Sequence, residues 1–146
     1  MSADAGWRVR PADYTRDFPA LRAVREPVFV VEQAVPIEEE WDALDPHCFH
    51  VLAFDASGSP VGTGRLTPER KIGRMAVLQA WRGRGVASAL LQALVEEAVR
   101  RGWDEVSLHA QVQAIPFYAR AGFTAYGDEF MEAGIAHRRM RRALST

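Results

Sequence analysis

Two glycines one residue apart sit between a strand-like apolar run and a long amphipathic helix, and this joint constrains the fold more than any other feature of the chain. The run spans residues 71–78 (KIGRMAVL), the joint is Arg82-Gly83-Arg84-Gly85, and the helical pattern starts near Val86. Ala87, Leu90, Leu91, Leu94 and Ala98 share one helical face, with Gln92, Glu96, Glu97 and Arg100 away from it, and Gly102 stops the helix. A strand, a glycine turn and a helix in this order aim several backbone N–H groups into one concavity at the positive end of the helix. Such a concavity cradles a pyrophosphate, built here from Gly83, Gly85 and the first helical residues Val86, Ala87 and Ser88. Arg82 and Arg84 would add side-chain charge for the phosphate oxygens.

The ligand follows by elimination and then by resemblance. No Gly-Lys-Ser/Thr follows the glycines, which excludes a P-loop. A dinucleotide fingerprint needs a third glycine or alanine where Ser88 stands, and an acidic residue where the next strand instead runs into His109. The pattern that remains, Arg-x-x-Gly-x-Ala over residues 82–87, resembles motif A of the GNAT acyltransferase superfamily, which cradles the pyrophosphate of acetyl-CoA. The resemblance implies an acyl-CoA ligand.

Length and composition set the frame. The 146 residues fit one domain spanning 1–146 with a single core, and 48% hydrophobic and 25% charged content is ordinary for a soluble globular protein. A net charge of −1 argues against bulk electrostatic binding to nucleic acid or membrane. No apolar run reaches membrane-spanning length, and residues 1–7 carry neither a basic start nor an apolar signal core. The single Cys48 cannot form an internal disulfide, so the expectation is a cytoplasmic protein.

The element pattern is β-α-β-β-β-α-β-α-β-β. Trp7-Arg-Val-Arg10 reads as a first strand. Asp17 is placed to cap a helix bearing Leu21, Val24 and Val28, with a break or kink at Pro27 and a further turn from Phe29 to Gln33. Residues 48–55 and 61–67 form a hairpin and 71–78 the next strand. After the long helix come a strand at 105–110, a short helix at 114–120 and late strands at 123–126 and 136–142. This order implies an α/β (α+β) fold with a mixed, mostly antiparallel sheet and helices on both faces, and it is the order of the GNAT fold.

The second half deepens the resemblance. Gln111 through Phe123 (QVQAIPFYARAGF) resembles the superfamily's motif B, with Gln111 where asparagine is common and Tyr118 matching the tyrosine that many members place beside the CoA sulfur. Phe29-Val-Val-Glu-Gln33, Gly62-Thr-Gly-Arg-Leu66, Lys71 through Val77, Leu108-His-Ala-Gln111 and Glu129 through His137 resemble the YjcF/ElaA-like branch, with Ala136 where that branch usually has proline.

The resemblance implies an N-acetyltransferase that moves acetyl from acetyl-CoA directly to an amine, small-molecule or peptidyl, through a tetrahedral intermediate. The backbone of Met75, Ala76 and Val77 would pair with the pantetheine like an added strand, and an N–H near Val77 would stabilise the thioester oxygen. Tyr118 is the candidate general acid: a phenol can hand a proton to a leaving thiolate at modest cost. His109, at a strand end, is the candidate base, with Glu32, Glu129, Glu132 and His137 as alternatives on the acceptor side. Arg65 and Arg74 are read as lining that side or as surface charges.

Other features point elsewhere or nowhere. Five carboxylates within residues 38–45 read as a solvated loop or an attractor for a cationic substrate. His47 and His50 on one strand would face opposite ways, so no metal is expected, and Cys48 is not expected to be a nucleophile. The late arginines 138, 139, 141 and 142 lack the stacking aromatics of a nucleic-acid site, and the resemblance implies that two copies could pair through the late strands that carry them. Two rival functions remain open: an acyl-CoA-binding sensor with little turnover, and a transferase using another acyl donor or a non-amine acceptor.

Overall fold

The computed structural model describes residues 6–145; the first five residues of the segment read as lacking a signal pattern lie outside that range. Seven strands form one sheet in the order β1-β2-β3-β4-β5-β7-β6. They are β1 (Trp7–Ala12), β2 (Phe49–Asp55), β3 (Pro60–Leu66), β4 (Lys71–Val77), β5 (Glu105–Gln111), β6 (Thr124–Glu132) and β7 (Ile135–Ala143). Every neighbouring pair is antiparallel except β4 and β5, which run parallel because a helix, α3 (Val86–Arg100), crosses between them.

Helix α3 lays Val86, Leu90, Leu91, Leu94, Val95 and Ala98 on one face of the sheet, against Leu66, Ile72, Val106, Leu108 and Met140. The leucines at 90 and 94 are fully buried, worth about 2 kcal/mol each in apolar burial. A side chain at Gly64 would sit 2.9 Å from Leu94 Cδ1, so the glycine lets α3 press onto β3. On the opposite face α1 (Phe18–Arg25) packs Val24, with Val28 and Phe29 from the segment after it, against Ala76 of β4. Two short helices complete the chain, α2 (Ile37–Glu40) and α4 (Ile115–Arg120).

Three local expectations change. Pro27 does not break the helix: α1 continues into a π-helical segment, Glu26–Glu32, because proline offers no N–H for the usual bond and the chain widens, with Gln33 N–H reaching Val28 O at 3.1 Å. Asp17 stands at the start of α1 without capping it, since its carboxylate accepts from Arg10 and from the Asp13 N–H. The strand read as 123–126 runs to Glu132, so Glu129 and Glu132 lie on β6 rather than in a loop. Between Tyr126 and Phe130 that strand carries an irregularity: four steps on β6 match two on β7.

Candidate active site

The sheet opens where two parallel strands part. β4 pairs with β5 only at Lys71–Ser107 and Ile72–Leu108, and beyond Ile72 the β5-facing edge of β4 is free. A bulge causes the divergence. Thr63 pairs with Ala76 and Arg65 with Gly73, so two steps on β3 span three on β4, and Arg74 takes a left-handed φ of 50°. Side chains switch faces across it: Ile72 lies in the α3 core, Ala76 packs on α1, and Val77 returns to the α3 core.

This register exposes the backbone of β4. Leu78 N–H bonds to Val61 O at 2.9 Å, which makes Gly62–Val77 the wide pair of the ladder, with the Val77 N–H and C=O turned away from β3. The carbonyl meets Arg82 Nε at 2.9 Å, and the N–H faces the opening. Met75 lines the cavity there, although its side chain packs against the α3 core.

At the end of β4 the glycines behave as the joint requires. Gly83 and Gly85 have φ of 78° and 87°, a conformation L side chains avoid. Around Gly83 nothing lies within 4 Å of where a Cβ would project. Gly85 is the N-cap of α3 and offers no side chain, and its carbonyl takes the Ala89 N–H, so the N–H groups of Val86, Ala87 and Ser88 have no partner within the helix. A pyrophosphate fits this open, donor-rich bowl. The two arginines do not simply point at it. Arg82 is held by Glu32, NH2 to Oε1 at 2.6 Å, and Arg84 stacks 4.5 Å over the Trp81 ring. Beside Ser88 a groove of about 740 Å³ runs between α3 and α4, with Arg120 and Arg142 on its wall.

A second cavity, about 540 Å³, fills the gap between β4 and β5. It brings together Arg65, Arg74, Met75, His109, Gln111, Tyr118, Glu132 and His137, while Glu129 stands exposed in the irregular part of β6 and is not among its lining residues. Burial pushes the Tyr118 phenol up to about 12, so it holds its proton throughout the neutral range. His109 Nδ1 lies 2.8 Å from Glu132 Oε1, and its ring meets Phe130 edge-on. Gln111, which stands where asparagine is common, donates Nε2 to Gln33 Oε1 at 3.0 Å and accepts from Gln113. Gln33 belongs to the end of the π-helical segment, so this bond ties that segment to β5 across the cavity.

The reading of 38–45 as a solvated loop is corrected for three of its carboxylates. Glu40 and Asp45 are buried and close around Arg25, with Nε to Glu40 Oε2 at 2.6 Å and NH1 to Asp45 Oδ1 at 2.8 Å. Arg65 is no surface charge: it bonds Asp42 at 2.8 and 2.9 Å and Asp45 at 2.7 Å. The hydrogen bond from Arg65 holds the Asp42 carboxyl down at about 2. Arg74 at the bulge reaches the Glu40 carbonyl at 3.2 Å and Asp42 at 3.4 Å. Residues far apart in sequence make this network, so composition alone could not locate it. His47 lies in the turn Asp45–His47 rather than on β2, and buried His50 donates Nε2 to the Asp45 carbonyl. The Cys48 thiol donates to Leu44 O, and burial raises it to about 11, which makes it a poor nucleophile.

The sequence profile of the acetyltransferase (GNAT) domain matches residues 21–144. The chain belongs to the GNAT acetyltransferase family. Within it, the chain is 40% identical over 123 residues to the uncharacterized N-acetyltransferase YjcF of Bacillus subtilis, covering 82% of this chain and 87% of that one. Escherichia coli ElaA superposes with a TM-score of 0.82 at 27% identity, over 93% of this chain and 99% of that one. An acyl-CoA N-acyltransferase from Pseudomonas aeruginosa gives a TM-score of 0.82 at 31% identity, over 94% and 99%. These likenesses support the YjcF/ElaA-like branch, and the GNAT fold accounts for the parted strands and the glycine joint alike.

Proposed function

We propose that this GNAT protein transfers acetyl from acetyl-CoA to an amine acceptor, with the parted β4 and β5 as the place of reaction. The observation that carries the reading is the succession of three features along β4 and its end: the cavity holding Tyr118 and His109, the free edge of β4, and the open N–H bowl at α3. Val86, Ala87 and Ser88 hold the pyrophosphate through backbone N–H groups, and the α3–α4 groove with Arg120 and Arg142 takes the nucleotide end. Residues 75–77 pair with the pantetheine amides along the free edge.

Bound acetyl-CoA supplies an activated thioester carbonyl. The Val77 N–H, fixed toward the opening before any charge develops, stabilises the oxygen of that carbonyl. With Glu132 accepting from Nδ1, His109 keeps its Nε2 lone pair for the proton that the amine sheds as its nitrogen bonds the acyl carbon. Tyr118 hands its phenolic proton to the sulfur as the carbon–sulfur bond breaks, and solvent carries the proton from His109 back to Tyr118. The products are the amide and the thiol.

A lone cysteine with no partner in the sequence accords with a cytoplasmic location, and β6 at the sheet edge suits pairing of two copies. The test of the transferase is incubation with acetyl-CoA and a panel of amines, amino acids, amino sugars, polyamines and peptides. Free thiol and acetylated amine should accumulate in equal amounts for one acceptor class. Tight acetyl-CoA binding with neither product would instead favour the sensor.

A further inference from the structure

The last strand lays two of its arginines on aromatic rings. Met140 of β7 lies in the α3 core, so Arg139 and Arg141 on either side of it project from the other face of the sheet. On that face α1 and the segment after it pack against β3 and β4, while the two arginines farther along the sheet are exposed. No aromatic residue neighbours them along the chain; β6 supplies the rings from the side. The guanidinium carbon of Arg139 lies 4.6 Å from the centre of the Phe130 ring, and that of Arg141 lies 4.4 Å from the centre of the Tyr126 ring.

A guanidinium resting on a ring keeps its hydrogen-bonding capacity, because its N–H groups lie in its own plane and point outward. The ring removes side-chain freedom instead, so the donors are held in place before any partner arrives. Phe130 is itself fixed, stacked on His137 and edge-on to His109. Neither charge is spent within the protein. Exposed arginines elsewhere are paired: Arg10 with Asp17, Arg82 with Glu32, Arg100 and Arg101 with Glu97. Among the described residues Arg139 has no carboxylate partner, and the one that Arg141 has, Glu105, is 3.9 Å away with both side chains exposed.

Charge and spacing identify what fits. Two pinned cations call for carboxylates, and side chains two apart on one strand stand about 6–7 Å from each other. Alternate side chains of any extended peptide have the same spacing. A nucleic-acid strand would need open rings for its bases, and each ring here already carries a guanidinium. We propose that the exposed face of β6 and β7 docks an acidic peptide segment in extended form, with carboxylates two residues apart seated on Arg139 and Arg141. At a net charge of −1 the chain as a whole does not draw anions, so the strip itself supplies the attraction.

The experiment titrates the protein into a fluorescent peptide with glutamate at every second position, blocked at its N-terminus and free of lysine, and reads anisotropy. The peptide offers no amine, so docking is measured whether or not the protein transfers acetyl. Wild type should bind it at least about tenfold tighter than the same peptide with glutamine for glutamate, and added salt should weaken the binding. Arg139→Gln combined with Arg141→Gln should abolish the preference. Tyr126→Leu, which keeps both charges and frees Arg141, should reduce it, and Arg100→Gln on α3 should leave it intact. Equal binding of the two peptides, or a preference that survives the double substitution, overturns the inference. So does a sedimenting dimer that Arg139→Glu with Arg141→Glu splits, since a second copy then covers the face. Single-stranded RNA that binds as tightly as the glutamate peptide, through the same two arginines, overturns it as well.

Discussion

His109 on β5 and Glu132 on β6 are joined by a 2.8 Å contact although β7 runs between their strands. The contact depends on the hairpin end of β6 and β7, where Glu132 pairs with Ile135 and its carboxylate reaches across to β5. It fixes which ring nitrogen of His109 faces the cavity.

Removing that restraint should act on turnover. Glu132→Ala is expected to lower kcat about tenfold with little change in KM for acetyl-CoA, whereas Glu132→Gln, whose amide oxygen still accepts from Nδ1–H, should retain most activity. Steady-state kinetics with the best acceptor checks both. Equal losses in the two variants would mean that the carboxylate charge, not the ring orientation, is what matters.

At the cradle, Gly83→Val and Gly85→Val each force a β-branched side chain into a left-handed backbone. Each should weaken acetyl-CoA binding at least about tenfold, since left-handed strain is of order 1–2 kcal/mol before any contact is lost. Calorimetric titration of acetyl-CoA reads the effect directly.

Stability hinges on Arg25, which sits 1% exposed between Glu40 and Asp45 with its guanidinium 3.9 Å over the Trp41 ring. Arg25→Ala takes the close partner from the buried Glu40 carboxylate and one of the two arginines from Asp45, a loss of about 3–5 kcal/mol. For a chain of this size that corresponds to a Tm about 10–16 °C lower. Replacing Arg25 and Glu40 together by apolar residues, with Asp45 left to Arg65, should recover much of the loss, and thermal unfolding of the single and double variants tests this.

Asp42 gives the network a pH signature. Its carboxyl is depressed to about 2 by the Arg65 hydrogen bond, below the ordinary value of about 3.9 in the unfolded chain. A depressed carboxyl stabilises fully above its unfolded value, and that contribution is lost as pH falls toward 2. The Tm gap between wild type and Asp42→Asn should therefore be constant near neutrality and close between about pH 4 and 2. A gap independent of pH would show that the charge of Asp42 is not its contribution.

What was legible in the chain was local. The glycine joint and α3 could be read because turn chemistry and helical period lie within thirty-odd consecutive positions, 71–101, and the order of strands followed from similar short-range patterns. Long-range partners could not. Nothing in sequence couples Arg82 to Glu32 fifty positions earlier, and the three arginines that neutralise Glu40, Asp42 and Asp45 come from α1, β3 and β4. Glu129 and Glu132 looked equivalent in sequence. The β6 irregularity leaves the first exposed and brings the second to His109.

The most direct test of the central claim is Tyr118→Phe, read by kcat for thiol release and by acetyl-CoA affinity in the same preparation. Tyr118 packs against Phe117 and Phe123, so phenylalanine keeps the packing and removes only the hydroxyl that carries the proton. The account predicts a fall in kcat of about 100-fold with affinity unchanged. Undiminished kcat in that variant would contradict the assignment of Tyr118 as the acid and, with it, this reading of the cavity.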